Sequence, residues 1–143
     1  MPAGTQSVPG ARRPAGGARS ADMSDADTTV RQLRELVRRF VAERQWERYH
    51  DPKNLSMAIA IEAAELMEHF QWVRSEELGA HLVDPKVRGE VSDEIADIAC
   101  FLLALANALE LDLSDAVRQK LQKNAAKYPA ETFRGRYFRS GGE

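Results

Sequence analysis

The apolar residues of this chain recur at the three- and four-residue spacing of amphipathic α-helices. Val30, Leu33, Leu36 and Val37 begin the first such series, and series of the same kind follow along most of the sequence. No stretch of useful length alternates apolar and polar residues with the period of two that marks a strand. The sequence therefore predicts an all-α fold of four to five helices.

Capping residues and prolines divide this pattern into separate helices. The first helix is predicted to begin at an N-cap on Asp27 or Thr28 and to run to about Trp46, after which residues 49–52 break it. An N-cap at Asn54 opens a second helix to about residue 73, and a short helix is expected from residue 75 to near 82. The pair Asp84-Pro85 opens a third helix to about residue 109, and Ser114 caps a fourth that ends near residue 128.

Three regions follow from the same pattern. Residues 1–26 are rich in Gly, Ala, Pro, Ser and Arg, and we predict a disordered extension there. Met23 opens the segment MSDADTTVRQL, which resembles a natural start better than Met1 does. Residues 27–130 form the predicted helical domain, and residues 131–143 form a predicted irregular C-terminal tail.

Length and charge narrow the function classes. The chain has 143 residues, which suits one domain, and 20 basic against 22 acidic residues give a net charge of -2. The first 22 residues hold three of the arginines and one acid, so the remainder carries 17 basic and 21 acidic side chains. Because nucleic acids are bound by basic surfaces, this acidic balance argues against a nucleic-acid partner.

Cysteine content and the length of apolar runs bear on location. Cys100 is the single cysteine, so the sequence offers neither an intramolecular disulfide nor a Cys-x-x-Cys metal site. The most apolar run, residues 95–109, has 15 residues and includes Asp97 and Asn107, whereas a membrane span needs roughly 20 apolar residues. No apolar stretch follows Arg12 and Arg13, as a secretory signal would require. We therefore predict a cytoplasmic protein without a membrane partner.

Two carboxylates lie on the inward-facing stripe of the predicted second helix. Glu62 and Glu65 share this face with Leu55, Ala58 and Trp72. The two acids lie about 4.5 Å apart along the helix axis and roughly 60° apart around it, so they can point to one place. A lone Glu-x-x-Glu pair is usually a solvated acidic face, and this helix alone does not decide between the two interpretations.

The predicted third helix repeats the arrangement with Glu94 and Asp97. Asp97 lies inside the apolar run, where burial of an unpaired carboxylate costs several kcal/mol. That side chain therefore needs a basic partner, a proton or a metal ion. If the two helices are antiparallel neighbours, all four acids meet.

Four carboxylates without nitrogen or sulfur ligands suit a hard divalent cation, Mg²⁺ or as a substitute Mn²⁺. Without a cation, the four negative charges would repel one another by several kcal/mol. A di-iron bundle uses Glu-x-x-His pairs, whereas His69 follows Glu65 by four residues. Because Mg²⁺ commonly binds substrate phosphates as well as protein carboxylates, a phosphorylated substrate is expected.

Basic and aromatic residues supply candidate substrate contacts. A stripe with helical spacing near the end of the predicted fourth helix consists of Lys120, Lys123, Asn124, Lys127 and Tyr128. Its cations either complement the helix dipole or hold phosphate oxygens opposite the acids. Ring side chains at or near predicted helix ends, which either border the core or stack on a base, are Trp46, His50 and Trp72.

Together these residues resemble the all-α nucleoside triphosphate pyrophosphatases of the MazG-like superfamily. The resemblance runs from about residue 30 to residue 128. It lies in the segments FVAERQWERYHDPKNL, EAAELMEHFQW and DEIADI, and in Lys120 with Asn124-x-x-Lys127-Tyr128-Pro129. Within the superfamily the chain is most similar to the dCTP pyrophosphatases and their bacterial relatives.

The resemblance implies a helical bundle completed by oligomerisation, as a homodimer or homotetramer with sites shared between subunits. It implies Mg²⁺-dependent hydrolysis of a deoxynucleoside triphosphate, with dCTP or modified deoxycytidine triphosphates favoured, to the monophosphate and pyrophosphate. Such an activity cleans the nucleotide pool. The implied catalytic and metal-binding residues are Glu62, Glu65, Glu94 and Asp97. The implied substrate-binding residues are Trp46, His50, Trp72, Phe101, Lys120, Asn124, Lys127 and Tyr128.

Three positions depart from the pattern of these relatives. Many carry a glutamate, assigned as the general base, at the position of Ile61; the dCTP pyrophosphatases lack it too, which leaves Glu62 or a metal-bound hydroxide as the base. Vertebrate dCTP pyrophosphatases place a histidine at the position of Val37, and Phe101 stands where a tyrosine hydroxyl is expected. Fewer polar contacts to the base imply weaker base discrimination.

Other functions compete with this one. A pyrophosphatase of broader or different base specificity would have the same acids and a different pocket. A non-catalytic helical adaptor would use the acidic face to bind a partner, and loss of metal ligands would be its sign, yet all four are present. A carboxylate-bridged redox metalloprotein is disfavoured by the missing Glu-x-x-His pairs.

Overall fold

The computed structural model describes residues 23–135, and within them every regular element is helical. The long helices are α1 (Val30–Glu43), α2 (Pro52–Glu68), α4 (Pro85–Ala108) and α5 (Leu113–Lys127). Single helical turns form α3 (Leu78–His81) and α6 (Ala130–Phe133), and 3₁₀ turns occupy Glu47–Tyr49 and Ser75–Glu77. The predicted all-α fold is confirmed for this part of the chain.

The predicted terminal regions lie largely outside the described residues. Residues 1–22 of the predicted extension are not among them, and Ser24 begins a turn in which its carbonyl accepts from the Asp27 and Thr28 N–H groups at 3.0 and 2.9 Å. Residues 136–143 of the predicted irregular tail are likewise outside. Its first residues differ from the prediction, because α6 extends into them.

Helix α2 begins one residue after Asp51, whereas the sequence favoured a cap at Asn54. The Asp51 carboxylate accepts a hydrogen bond from the Asn54 backbone N–H at 2.9 Å, and Pro52 occupies the first turn. Proline fits there because its fixed φ suits a helix and its missing N–H is not needed. The same arrangement of an aspartate cap followed by proline was predicted at α4. There the Asp84 carboxylate accepts a hydrogen bond from the Lys86 N–H at 2.8 Å.

Two other helix starts also differ from the prediction. Thr29, and neither Asp27 nor Thr28, caps α1, because Thr29 and Gln32 form a reciprocal capping box. Asp112 caps α5 by accepting from the Asp115 N–H at 2.9 Å, which places the predicted cap Ser114 inside the helix. In each case a side chain nearer to the helix start satisfies the free N–H groups of the first turn.

Helix α1 ends three residues before the predicted Trp46, because Gln45 adopts a left-handed conformation with φ 53°. Gln45 N–H donates to Ala42 O at 3.0 Å and Trp46 N–H donates to Val41 O at 3.1 Å, which is the Schellman pattern. Helix α4 ends in the same way around Glu110, with φ 52°. Helix α2 ends at Glu68 instead of about residue 73.

Helices α2 and α4 form the most extensive helix–helix contact, and α1 crosses α4. The apolar core at these contacts is small, and its buried members are Val41, Leu55, Val91, Leu103, Ala104 and Ala106. Arg34 fastens α1 to the end of α4 by donating to Asn107 Oδ1 at 2.8 Å, Ala106 O at 3.2 Å and Leu111 O at 2.7 Å. This packing fixes α1, α2 and α4 relative to one another.

Many apolar side chains of this single chain face outward. Trp72 is 87% exposed, and Met57, Ile61, Met67 and Ile95 are each more than half exposed. Helix α5 makes only slight contact with the other described elements and has no buried residue. None of the described helices has the length and apolar character to cross a bilayer.

Candidate active site

The contact between α2 and α4 brings three acidic side chains to one point. One carboxylate oxygen each from Glu62, Glu65 and Glu94 lies within 4.8 Å of the other two. Glu62 and Glu65 reach the point together because residues three apart share a helix face. Glu62 and Glu94 are partly buried, and Glu65 is exposed. We refer to these three residues as the acidic cluster.

The acidic cluster concentrates negative charge in a partly buried place. Partial burial raises the pKa of Glu62, and the negative charges of Glu65, Asp97 and Glu94 raise it further. Glu94 Oε2 is buried and has no hydrogen-bond partner. Carboxylates gathered in this way repel one another, and a buried oxygen without a partner is costly.

The acidic cluster has no basic partner within residues 23–135. The ion pairs there join Arg38 to Glu35, Arg44 to Glu43, Lys86 to Glu90 and Arg118 to Asp115, and none includes the cluster. Oxygen donors alone, a net negative charge and the unpartnered Glu94 oxygen fit a hard divalent cation such as Mg²⁺ or Mn²⁺.

Asp97 lies beside the acidic cluster and is not part of the group within 4.8 Å. The sequence had placed it with the other acids as an equal member. The structure puts Asp97 close enough for its charge to raise the pKa of Glu62, and also on the wall of a neighbouring cavity. Asp97 therefore lies between the acidic cluster and this neighbouring cavity.

The neighbouring cavity has a volume of about 430 Å³ and lies between α1, α4 and the turn that follows α1. Its lining is almost wholly apolar or aromatic, and consists of Leu36, Val37, Phe40, Val41, Trp46, His50, Asp97, Cys100, Phe101 and Ala104. A cavity of this size with aromatic walls suits a planar ring ligand. We call it the aromatic cavity.

Three of the predicted substrate-binding residues meet in the aromatic cavity. The ring of His50 lies 6.4 Å from the ring of Trp46 and 6.5 Å from that of Phe101, measured between centroids. Nδ1 of His50 is buried without a hydrogen-bond partner. A buried polar atom without a hydrogen-bond partner is energetically unfavourable.

The other predicted substrate-binding residues are not brought to this place within the described chain. Trp72 follows α2 and is 87% exposed, outside the lining of the aromatic cavity. The remaining four, which belong to α5 and its end, are Lys120, Asn124, Lys127 and Tyr128. Their side chains are exposed except for the partly buried Asn124, and α5 packs only slightly against the other helices.

Sequence reasoning did not single out Phe40, Leu36 or Cys100 as members of the site. Phe40 and Leu36 belong to the apolar series that predicts the first helix, and both line the aromatic cavity. Cys100 follows Asp97 by three residues and precedes Phe101, and that helical spacing is the signal that could have placed it there.

Comparison with known proteins shows the family of this fold and site. The model of the MazG-like family matches residues 57–137, which include the acidic cluster, Asp97 and all of α5. The chain belongs to the MazG-like family.

Individual MazG-like relatives and one solved structure agree with this assignment. A dCTP pyrophosphatase 1 from Bos taurus is 36% identical over 135 residues, covering 94% of this chain and 80% of the relative. The Mus musculus and Homo sapiens proteins of that name are each 38% identical, with 76% of this chain and 64% of theirs covered. A pyrophosphatase from Archaeoglobus fulgidus has a TM-score of 0.66 and 40% identity, covering 78% of this chain and 99% of its own.

Proposed function

We propose that this chain is a Mg²⁺-dependent nucleoside triphosphate pyrophosphatase that hydrolyses a deoxynucleoside triphosphate to the monophosphate and pyrophosphate. We favour dCTP or modified deoxycytidine triphosphates as substrates and nucleotide-pool house-cleaning in the cytoplasm as the role. The similarity to proteins named dCTP pyrophosphatase 1 and to a solved pyrophosphatase supports the enzyme class.

The observation that carries the proposal is the position of Asp97 between the acidic cluster and the aromatic cavity. The acidic cluster has oxygen donors for a divalent cation, and the aromatic cavity beside it has room for a base. A nucleoside triphosphate has a base and a metal-binding polyphosphate at its two ends. The geometry therefore supports a ligand that bridges the two parts.

In the proposed reaction a water oxygen bonds to the α-phosphorus, and the bond from that phosphorus to the bridging oxygen breaks. Mg²⁺, when bound by Glu62, Glu65, Glu94 and Asp97, would neutralise phosphate charge and lower the pKa of the attacking water. A carboxylate accepts the proton of the water. Ile61 cannot do so; Glu62, which follows it in the chain and belongs to the acidic cluster, is the candidate carboxylate, and a metal-bound hydroxide is the alternative to a protein base.

The lining of the aromatic cavity favours a second candidate, a pyrophosphatase of broader base specificity. Val37 and Phe101 supply no hydrogen-bonding groups, and the walls offer only the side chains of His50, Asp97 and Cys100 and the indole N–H of Trp46. A pocket with few polar contacts rejects a wrong base weakly. Comparison of dCTP with the other canonical triphosphates decides between the two candidates.

We also propose that the site is completed by a second copy of the chain, in a homodimer or homotetramer. The support is that Lys120, Asn124, Lys127 and Tyr128 belong to a helix that packs little against its own chain. Two long cations on α5 would suit the phosphates of a substrate held by the acids of another subunit. The exposed apolar residues of α2 and α4 would be covered in such an assembly.

The proposed function is tested by product analysis with a panel of triphosphates in Mg²⁺ and in Mn²⁺. We expect dCMP and pyrophosphate from dCTP, and loss of turnover in Glu65→Gln and Asp97→Asn with the helical circular dichroism retained. Glu68→Gln and Asp93→Asn are matched controls on the same helices and should keep full activity, because both side chains are exposed and outside the cluster. Release of single phosphate, or unchanged turnover in both test variants, would refute the proposal.

A further inference from the structure

The outer wall of the aromatic cavity is formed by two rings with little packing to hold them. Phe40 and Trp46 line the cavity and meet edge to face, with ring centroids 6.0 Å apart. Phe40 is 49% exposed and Trp46 is 43% exposed, so about half of each residue lacks protein cover. A recognition surface works best when its side chains are held in one orientation by neighbours.

Arg44 contacts both rings from outside the aromatic cavity. Its guanidinium carbon lies 3.6 Å from the ring centroid of Phe40 and 5.9 Å from that of Trp46. A guanidinium over a ring face is attracted by the electron density of the ring. Nη1 of Arg44 also donates to the Phe40 carbonyl at 3.0 Å, which fixes the guanidinium above its own helix.

The backbone at the end of α1 gives this contact its geometry. Arg44 is the C-cap of α1, and Gln45 then turns the chain through its left-handed conformation. Trp46 N–H bonds back to the carbonyl of Val41, so Trp46 returns toward the helix that carries Phe40. Arg44 thus lies beside both rings, while it is not itself among the residues described as lining the cavity.

We propose that Arg44 is a positioning residue for base recognition, which acts by holding Phe40 and Trp46 in the orientation that a base requires. That the ligand of these rings is a base rests on the proposed function. That Arg44 holds the two rings does not depend on it. Among residues 23–135, Arg44 has no other strong partner, since its ion pair with Glu43 is long, at 3.6 Å, and exposed. Its main described contacts are therefore those to the rings and to the Phe40 carbonyl.

The first experiment uses the free protein and needs no catalysis. A Trp72→Phe background leaves Trp46 as the single tryptophan, and acrylamide quenching of its fluorescence reports how well the ring is held. We expect Arg44→Met to increase the quenching constant. Arg48→Met is the matched control, because that guanidinium lies 4.6 Å from the Tyr49 ring, which does not line the aromatic cavity. Equal quenching in Arg44→Met and its parent would overturn the proposal.

The second experiment separates base recognition from phosphate binding, with tryptophans intact. Arg44→Met should raise KM for dCTP about three- to tenfold with kcat unchanged, while both constants for abasic deoxyribose triphosphate stay the same. Arg44→Lys keeps the cation and should recover part of the loss. Equal losses on both substrates would show a phosphate contact and overturn the proposal. If the wild type hydrolyses neither substrate, the proposed function fails, and the quenching result alone decides the role of Arg44.

Discussion

Glu62 lies near Glu65, Glu94 and Asp97, and its pKa is raised above 4.5 by partial burial and by their negative charge. In the unfolded chain these influences are absent, so the folded state keeps this proton to higher pH. The folded state is therefore stabilised relative to the unfolded state while Glu62 is protonated. That contribution is lost as pH rises from about 4.5 through the raised pKa.

Replacement of Glu62 by the neutral isostere glutamine tests this linkage. In buffer with EDTA, we expect the melting temperature of Glu62→Gln to increase relative to that of the wild type as pH rises from about 4.5 to neutrality. With Mg²⁺ present, the wild type should instead have the higher melting temperature at neutral pH, because the bound cation stabilises its folded state. Thermal unfolding at a series of pH values measures both effects. A difference that does not vary with pH would contradict the assigned cause.

Cys100 offers a direct test of where the base binds, since it is the single cysteine and lines the aromatic cavity. Partial burial and the nearby charge of Asp97 raise the pKa of this thiol above 9.0, so alkylation should be slow at neutral pH and faster at higher pH. A non-hydrolysable dCTP analogue with Mg²⁺ should slow alkylation several-fold. Inorganic pyrophosphate, which has no base, is the control. Equal protection by both, or by neither, would place the base elsewhere.

The four acids could be predicted from the sequence, but not which of them form the cluster and which one lines the cavity. Glu62, Glu65 and Glu94 follow from helical spacing and from the absence of basic residues between them. The displaced position of Asp97 depends on how α4 is rotated and tilted against α2, which spacing alone does not fix. Phe40 has the sequence signature of a core residue, and only the path of the chain after α1 makes it a cavity wall.

At the level of elements, the strained turn after α1 leads to a stability prediction. Gln45 has φ 53°, a conformation that costs a residue with a Cβ about 1 kcal/mol. Gln45→Gly should therefore raise the free energy of unfolding by roughly 0.5 to 1 kcal/mol. Gln45→Ala keeps the strain and is the control. Urea unfolding compares the variants, and a glycine variant no more stable than the alanine variant would contradict the interpretation.

The helices and their order could be predicted because the helical spacing of the apolar residues is clear. The residues at which the helices begin and end were harder to predict. The cap at Asp84 was predicted correctly, since Asp-Pro leaves one choice. Near α2 the cap was predicted at Asn54, whereas Asp51 caps the helix through a hydrogen bond from the Asn54 N–H, which is visible only in three dimensions. The end of α1 lacks the glycine that usually marks a Schellman turn, so it was predicted too late.

At the level of the whole molecule, α5 is the helix whose role depends on whether the chain assembles with a second copy. Its basic stripe was predicted as part of the site, and within residues 23–135 it stays apart from the acids. Sequence spacing shows which residues share a face. It does not show which surface, on the same chain or on another copy, that face contacts.

Mixing two inactive variants tests whether α5 serves another subunit. We expect Glu65→Gln and Lys127→Ala each to lose most pyrophosphate release, the first through the acids and the second through the phosphate contact. In a dimer with shared sites, refolded mixtures should regain about one quarter of wild-type activity, because half of the dimers are mixed and each has one intact site. Mixtures that stay inactive, or a chain that remains monomeric while active, would contradict the shared site.

The central claim is that the acidic cluster holds a divalent cation, and Mn²⁺ binding followed by the electron paramagnetic resonance of the free ion tests it most directly. Glu90→Gln is the matched control, because Glu90 lies on α4 one turn before Glu94 and is paired with Lys86 at 3.7 Å. The account predicts that the wild type and Glu90→Gln bind Mn²⁺ alike, and that Glu94→Gln binds it about tenfold more weakly or worse. Equal Mn²⁺ affinity in Glu94→Gln and the wild type would contradict it.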